Sequence, residues 1–131
     1  MEDVSEYIWT RVRPILIGHA EIVKELSQNI LYNIGYSSNE HFPIRCYLSF
    51  LTNTRGDELA IVADFETMAN GLNVKSDIGL DTGLVLADGP ASVLVVSGES
   101  FENGFAKWLE DFRNFLSENE QKIAKIASTL S

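Results

Sequence analysis

The spacing of apolar residues changes along this chain, and that change constrains the fold more than any other feature. Near the C-terminus the apolar residues recur every three or four positions, which is typical of one face of a helix. Between residues 45 and 97 they alternate with polar residues, and Gly and Asn punctuate the pattern, which is typical of strands and turns. The C-terminal stripe comprises Phe101, Phe105, Trp108, Leu109, Phe112, Phe115, Leu116, Ile123, Ile126, Ala127 and Leu130.

The first 34 residues also show helical spacing. Residues 5–34 carry one apolar stripe, but Pro14 lies inside it, and proline disrupts a helix interior. We expect either a short helix over 4–12 and a longer one over 14–34, or one bent helix. Gly35 suits the position after a helix C-terminus, so 36–41 is predicted to be a loop.

Four segments in the middle of the chain read as strands. Asn70-Gly71 and Asp88-Gly89-Pro90 are turn signals between them, and 53–57 is predicted to be a hairpin loop. The third segment is too long for an ordinary strand, so we expect one strand with a bulge or two strands broken near 79–83. Ser100 is predicted to cap the last helix. The predicted strands are 44–52, 59–68, 72–86 and 91–97.

These elements predict one domain, residues 1–131, of the α+β class. Short turns between consecutive strands favour an antiparallel meander of four or five strands. The N-terminal and C-terminal helices each have one apolar stripe, so both are expected to pack on one face of the sheet in a two-layer arrangement. The length of 131 residues is enough for one core without disulfides.

Composition excludes several classes of protein. No apolar run approaches the ~20 residues of a membrane span, and the acidic start Met1-Glu2-Asp3 does not resemble a signal peptide. The single Cys46 excludes an internal disulfide and alternates with Leu48 and Phe50, so a buried, inert thiol is expected. We therefore expect a cytoplasmic protein with no membrane contact.

The net charge of −9 is concentrated in the strand region. The formal charges sum to −2 over residues 1–35, −5 over 36–98 and −2 over 99–131. Without a basic patch, direct binding of nucleic acid is not expected. An acidic sheet favours a basic partner protein or a cation, and it is also compatible with a role in solubility alone.

Acidic residues in the strands are the candidate binding residues. Asp64 and Glu66 share one face of a predicted strand, whereas Asp77 and Asp81 belong to the pattern Asp77-x-Gly79-x-Asp81-x-Gly83. Alternating oxygen donors and glycines suit a calcium loop, but the full twelve-residue loop with its terminal Glu is absent. The same pattern is typical of an exposed strand with a bulge.

No motif predicts catalysis or a cofactor. The two histidines, His19 and His41, do not form a zinc-ligand pattern with Cys46 or the acids. The nucleophile-elbow, phosphate-loop and dinucleotide-binding motifs are absent. We expect no catalytic residue, no bound metal and no cofactor, and we regard a binding protein as a better reading than an enzyme.

Apolar residues also occur on the strand faces that should be polar. They form either a homodimer surface or a surface covered by the N-terminal segment 4–12. Trp9 and Tyr7 in that segment either seal the core or belong to an interface. The apolar residues concerned are Leu51, Ala60, Val62, Val85, Val93 and Val95.

The preferred hypothesis is a non-enzymatic domain that binds a basic protein through its sheet, with Tyr47 as an aromatic anchor beside Asp64, Glu66, Asp77 and Asp81. The helix–meander–helix outline is similar to bacterial secretion-chaperone-like domains, and the small size and acidity resemble immunity proteins that neutralise secreted toxins. That resemblance rests on outline and charge, so no family residue is transferred. The alternative is a small-molecule or cation binder, or a modest hydrolase, with a pocket between sheet and helices.

Overall fold

Three helices and six strands make up the part of the chain that this computed structural model describes, residues 4–27, 30–38, 44–51, 58–69, 71–80, 83–95 and 98–130. The helices are α1 (Val4–Leu26), α2 (Gly98–Glu118) and α3 (Glu120–Leu130). The strands are β1 (Leu31–Ser37), β2 (Ile44–Leu51), β3 (Glu58–Met68), β4 (Gly71–Leu80), β5 (Val85–Asp88) and β6 (Ser92–Val95).

The strands form one antiparallel sheet in the order β1-β2-β3-β4-β5, and β6 also pairs with β4. The predicted meander and the α+β class are therefore confirmed. Strands β5 and β6 lie end to end along β4, with Asp88 opposite Asp77 and Ser92 opposite Val74. Together they act as one edge strand that is interrupted in its middle.

The interruption is held in place by the Gly89-Pro90 turn. The Gly89 amide donates to the Ser76 carbonyl oxygen over 2.9 Å. The Pro90 carbonyl oxygen accepts hydrogen bonds from the Ser76 hydroxyl (2.9 Å) and from Nε1 of Trp108 (3.1 Å). Because proline has no N–H to give to a strand ladder, this turn is a natural place for the edge strand to break.

The core lies between the helices and one face of the sheet. Alternate residues of each central strand are buried there, and the rings of Trp108 and Phe112 stack at 4.8 Å between centroids. Cys46 is 1% exposed, as predicted, and burial together with the nearby Asp64 raises the pKa of its thiol. The strand residues of this core include Ile44, Leu48, Phe50, Leu59, Ile61, Phe65, Leu72, Val74 and Ile78.

The first helix is shorter than predicted. It runs unbroken past Pro14 but ends at Leu26, and β1 follows, so the predicted helix to residue 34 is wrong. The loop predicted over 36–41 begins too early, because Tyr36 and Ser37 belong to β1, and residues 39–41 lie outside the described part of the chain. The amide and hydroxyl of Ser27 both donate to the Val23 carbonyl oxygen, at 2.8 and 2.5 Å, and close the last turn. Beyond it the alternation of Tyr32, Ile34 and Tyr36 suits a strand, and this pattern overrides the helical stripe.

The C-terminal stripe is divided between two helices, so the prediction of one continuous helix is wrong. Asn119 separates α2 from α3. Its side-chain amide donates a hydrogen bond to the Phe115 carbonyl oxygen (2.8 Å), and its backbone amide donates one to the Leu116 carbonyl oxygen (3.1 Å). Such competition by an Asn side chain is a common reason for a helix to end. Helix α2 begins at Gly98, so Ser100 lies inside it and does not cap it.

The predicted break near 79–83 is confirmed. The β4–β5 register shifts between Ile78 and Gly79, and the turn that follows has Gly83 at φ +98°. The Gly83 amide donates a hydrogen bond to the Leu80 carbonyl oxygen, and the Leu80 amide donates one to the Leu84 carbonyl oxygen. Both distances are 2.9 Å. The predicted loop 53–57 lies outside the described residues.

Candidate functional site

The face of the sheet that points away from the core, called here the outer sheet face, is not covered by any described helix. Ile8 and Val12 of α1 are fully buried in the core on the opposite side. Of the two alternatives that the sequence left open for the apolar residues of this face, the one in which residues 4–12 cover it is therefore wrong. Trp9 instead packs against Tyr36 (4.9 Å between ring centroids), and Tyr7 packs against Phe101 and Phe105.

Four of the five predicted binding residues lie on the outer sheet face. Tyr47 of β2 is aligned with Val62 of β3, which is aligned with Asp77 of β4. Asp64 and Glu66 continue along β3 on the same face. Asp81 lies outside the described residues. The alternation of the strands therefore brings Tyr47 and three of the acids onto one surface.

The charge of Asp64 is largely compensated within the sheet. Its carboxylate accepts two hydrogen bonds from the Arg45 guanidinium, at 2.5 and 3.2 Å, and Lys75 lies opposite it on the other neighbouring strand. A two-point ion pair between arginine and carboxylate has well-defined geometry. Asp64 is thus oriented by its neighbours, whereas the side chain of Glu66 is exposed.

Asp77 and Asp88 face each other directly across β4 and β5. Asp77 is half-buried, and this burial, together with Asp64 and Asp88, raises the pKa of its carboxyl group despite the opposing effect of Arg45. Like charges placed opposite each other destabilise a strand pair. In the described part of the outer sheet face, five acids therefore outnumber two bases. The acids are Glu58, Asp64, Glu66, Asp77 and Asp88, and the bases are Arg45 and Lys75.

Large apolar side chains surround these charges. Those with the highest exposure on the outer sheet face are Leu31 (66%) in β1 and Val93 (61%) in β6. Val85 and Met68 are also exposed, and Val62 lies half-buried near the middle. A surface with apolar area next to fixed charges is typical of protein interfaces.

A second candidate site is a cleft between the helices, called here the helical cleft. Its volume is about 360 Å³, which falls within the range of small-molecule pockets. It lies among the helices and not between sheet and helices, where a pocket is expected from the sequence. The residues that line it are Pro14, Ile15, Gly18, His19 and Ile22 of α1, Arg113, Leu116 and Ser117 of α2, and Glu120 of α3.

His19 is the buried polar group of the helical cleft. His19 is only 4% exposed, and neither ring nitrogen has a hydrogen-bond partner among the described residues. Burial lowers the pKa of His19 to about 4, so the ring is neutral at pH 7. A buried polar group without a partner costs about 1–3 kcal/mol of stability. Such groups in native proteins call for an explanation.

Two neighbours of His19 also weaken the helix that carries them. Pro14 lies inside α1, where proline costs about 3 kcal/mol relative to alanine. Gly18 costs about 1 kcal/mol in a helix interior, and a Cβ at this position would meet no atom within 4 Å other than those of its own turn of α1. An alanine would therefore fit there and stabilise the helix. Residues that break local rules without a packing reason are concentrated at functional sites.

Arg113 and Glu120 provide the charges at the helical cleft. Glu120 lies in the first turn of α3, where the helix dipole stabilises a carboxylate. Arg113 lies within α2 and is exposed, and among the described residues it forms no ion pair. Of the two charged groups at the helical cleft, Arg113 is therefore the one with donors available to pair with an anion.

The comparisons with known proteins give no relative. No protein-family model matches the chain, and neither a curated protein nor a solved structure matches it. None of the described helices is long and apolar enough to cross a membrane. Within the same residues, no three His, Cys, Asp or Glu side chains are grouped closely enough to hold a metal ion.

Sequence reasoning identified the acidic residues of the outer sheet face but missed the helical cleft. From the sequence, His19 is only a helical residue beside an apolar stripe. Gly18 and Arg113 are 95 positions apart, and no local pattern connects them. The one local signal was the combination of Pro14, Gly18 and His19 within six residues of a helix.

Proposed function

We propose that this protein is a non-enzymatic binding domain that holds a basic partner protein on its outer sheet face. The single observation that carries the proposal is the uncovered sheet face, on which acids outnumber bases and exposed apolar residues surround the charges. The apolar residues supply buried area, and the acids favour a basic partner and speed its association. In this proposal the protein acts in the cytoplasm, as an immunity protein or a secretion chaperone does.

Individual residues have different roles in this proposal. Glu66 and Asp88 are exposed and supply long-range attraction. Asp64 is held by Arg45, so it acts as an oriented acceptor. Tyr47 is half-buried over β1 and offers the flat aromatic surface that partners commonly bury.

Charge reversal at the two exposed acids tests the proposal. The variant Glu66→Lys/Asp88→Lys changes the charge of the outer sheet face by four units without touching the Arg45–Asp64 pair. The matched control Glu102→Lys/Glu110→Lys makes the same change on exposed positions of α2. Binding partners are captured from cells that produce the protein, and their association rates are measured at several salt concentrations.

The proposal predicts a basic partner that wild type and the α2 control retain. The outer-face variant should associate at least about tenfold more slowly at low salt, with a smaller difference at high salt. A partner that is acidic, or one that binds the outer-face variant as fast as the control, overturns the proposal. Self-association of the chain through Leu31, Val85 and Val93, detected by sedimentation, would also overturn it, because a second copy of this chain is itself acidic.

A further inference from the structure

We propose that the helical cleft is a binding site for a small carboxylic acid with an apolar body, a function separate from partner binding on the outer sheet face. Two observations point to a ligand there: the cleft, which includes the open space beside Gly18, and the buried His19, whose ring nitrogens have no partner among the described residues. Gly18 and His19 are adjacent residues of α1 and both line the cleft.

The charges select the ligand class. Arg113 and Glu120 place one positive and one negative group at the helical cleft. Glu120 lies in the first turn of α3, whose dipole stabilises its carboxylate, whereas Arg113 has no ion-pair partner among the described residues. A carboxylate fits the planar guanidinium of Arg113 with two hydrogen bonds. A cationic ligand would have to pair with Glu120, whose carboxylate the N-terminus of α3 already stabilises, and it would lie beside the positive charge of Arg113.

The walls select the rest of the ligand. Pro14, Ile15, Ile22 and Leu116 contribute apolar surface, and Ser117 adds one hydroxyl. The missing side chain of Gly18 leaves room for an aliphatic or aromatic body against α1. The volume of about 360 Å³ accommodates a molecule of small-metabolite size.

His19 gives the cleft a neutral hydrogen-bonding group. A neutral imidazole offers one donor and one acceptor, so it can bind an oxygen of the ligand without adding charge. Both ring nitrogens are buried, so the imidazole ring has to rotate before either nitrogen can reach a ligand in the cleft. The ring of His19 should therefore report ligand binding directly.

The test uses hexanoate as the probe, with hexanamide and hexylammonium as matched probes of the same length. Binding is followed by NMR through the backbone amides of the helical cleft and the ring nitrogens of His19. Hexanoate should give saturable shifts there and bind on the order of tenfold more tightly than hexanamide. Hexylammonium should bind no better than the amide.

Three variants separate the contributions. Arg113→Gln should weaken hexanoate binding about tenfold, whereas Lys107→Gln, which removes an exposed cation from α2 outside the cleft, should leave it unchanged. Gly18→Leu should fill the cleft and abolish binding while the fold is retained. His19→Leu should weaken binding and remove the ring signal.

Two results would overturn the inference. One is the absence of saturable shifts up to about 10 mM hexanoate in a folded wild-type protein. The other is hexanoate binding that Arg113→Gln and Gly18→Leu leave unchanged, because the ligand would then lie elsewhere. Equal affinity for hexanoate and hexanamide also contradicts the proposal, since it would show an apolar cavity without selection for a carboxylate.

Discussion

The ring of Tyr47 in β2 lies over the backbone of Gly35 in β1, the residue directly opposite it in the sheet. A Cβ at position 35 would lie 2.5 Å from the Tyr47 hydroxyl oxygen and 2.8 Å from Cζ. The missing side chain of Gly35 therefore creates the place that the aromatic ring fills. This pairing of an aromatic residue with a strand glycine compensates for the weakness of glycine in a sheet.

Replacement of Gly35 by alanine is expected to move the Tyr47 ring. We expect Gly35→Ala to lower the free energy of unfolding by about 1 kcal/mol, because the ring loses its packing against β1. Urea denaturation and the NMR shifts of the Tyr47 ring measure the two effects. Gly18→Ala is the matched control, and it should raise stability by about 1 kcal/mol because nothing lies within 4 Å of the new methyl group. An undisturbed Tyr47 ring in Gly35→Ala would contradict the prediction.

The buried His19 should make the fold sensitive to acid. Its pKa is lowered to about 4 in the folded state, against an ordinary value of 6.5, so the unfolded chain binds a proton first as the pH falls. Above pH 6.5 His19 is neutral in both states and does not make the free energy of unfolding depend on pH. Between pH 6.5 and pH 4 the free energy of unfolding falls progressively, by about 3 kcal/mol in total. The charged groups that share its cleft are Arg113 and Glu120.

Denaturation midpoints measured between pH 7 and pH 4 check this effect. In His19→Leu the part of the pH dependence that His19 contributes should disappear, and stability at pH 7 should be equal to wild type or higher. The same pH profile in wild type and His19→Leu would show that protonation of His19 does not contribute.

Asp77 should be a destabilising residue at neutral pH. Its pKa is raised by burial and by Asp64 and Asp88, so the folded state disfavours its charged form. That cost is fully present at pH 7 and vanishes once the pH falls below the ordinary value of 3.8, where both states are protonated. We expect Asp77→Asn to raise the free energy of unfolding at pH 7 by up to about 1 kcal/mol.

The control for this prediction is an exposed acid on a helix. Asp111→Asn removes a weak pair with Lys107 (3.6 Å) and should change stability by less than about 0.5 kcal/mol. Chemical denaturation of both variants at pH 7 and pH 3 gives the comparison. A loss of stability in Asp77→Asn at pH 7 would mean that its carboxylate makes a favourable contact.

Gly89 should not tolerate any side chain. A Cβ there would overlap the Ser76 hydroxyl oxygen and lie 2.7 Å from the nearest ring carbon of Phe115. We expect Gly89→Ala to destabilise the protein by about 1–3 kcal/mol, because the ring and the hydroxyl are both held by the surrounding core. Thermal unfolding measures the loss. Loss of the Ser76 and Trp108 hydrogen bonds to Pro90 should appear as faster hydrogen exchange of the Trp108 indole N–H.

The strong periodicity of apolar residues in the sequence is sufficient to predict most of the fold. Strands β2 and β3 were predicted to within one residue at each end, since their alternation is regular and one face is buried. The break between β4 and β5 was predicted from the concentration of glycines. The class and the antiparallel order followed from the short turns.

The predicted end of the first helix and the predicted continuity of the C-terminal helix were wrong, because local spacing there is compatible with more than one structure. Residues 31–36 continue the helical stripe of α1 and also alternate as a strand, and pairing with β2 decides between the two. The division at Asn119 depends on one side-chain amide that bonds to Phe115. Neither outcome can be read from local spacing, because each depends on a contact that forms only in the folded chain.

The two candidate sites also differ in how far they can be predicted from the sequence. The outer sheet face was foreseeable, because alternation alone places Tyr47, Asp64 and Glu66 on one side of the sheet. The pairing of Asp64 with Arg45, and the opposition of Asp77 and Asp88, depend on strand register and were not foreseen. The helical cleft combines α1, α2 and α3, so it is a product of tertiary packing.

The turn at Gly89-Pro90 also affects how this sheet meets other molecules. The Pro90 carbonyl oxygen is used inside the protein by Ser76 and Trp108, and its nitrogen carries no hydrogen. A neighbouring chain that aligned itself along β5 and β6 would find a gap in the middle of the ladder. Lateral growth of the sheet into fibrils is obstructed at this edge, so the protein can keep apolar residues such as Val85 and Val93 at its surface with less danger of aggregation.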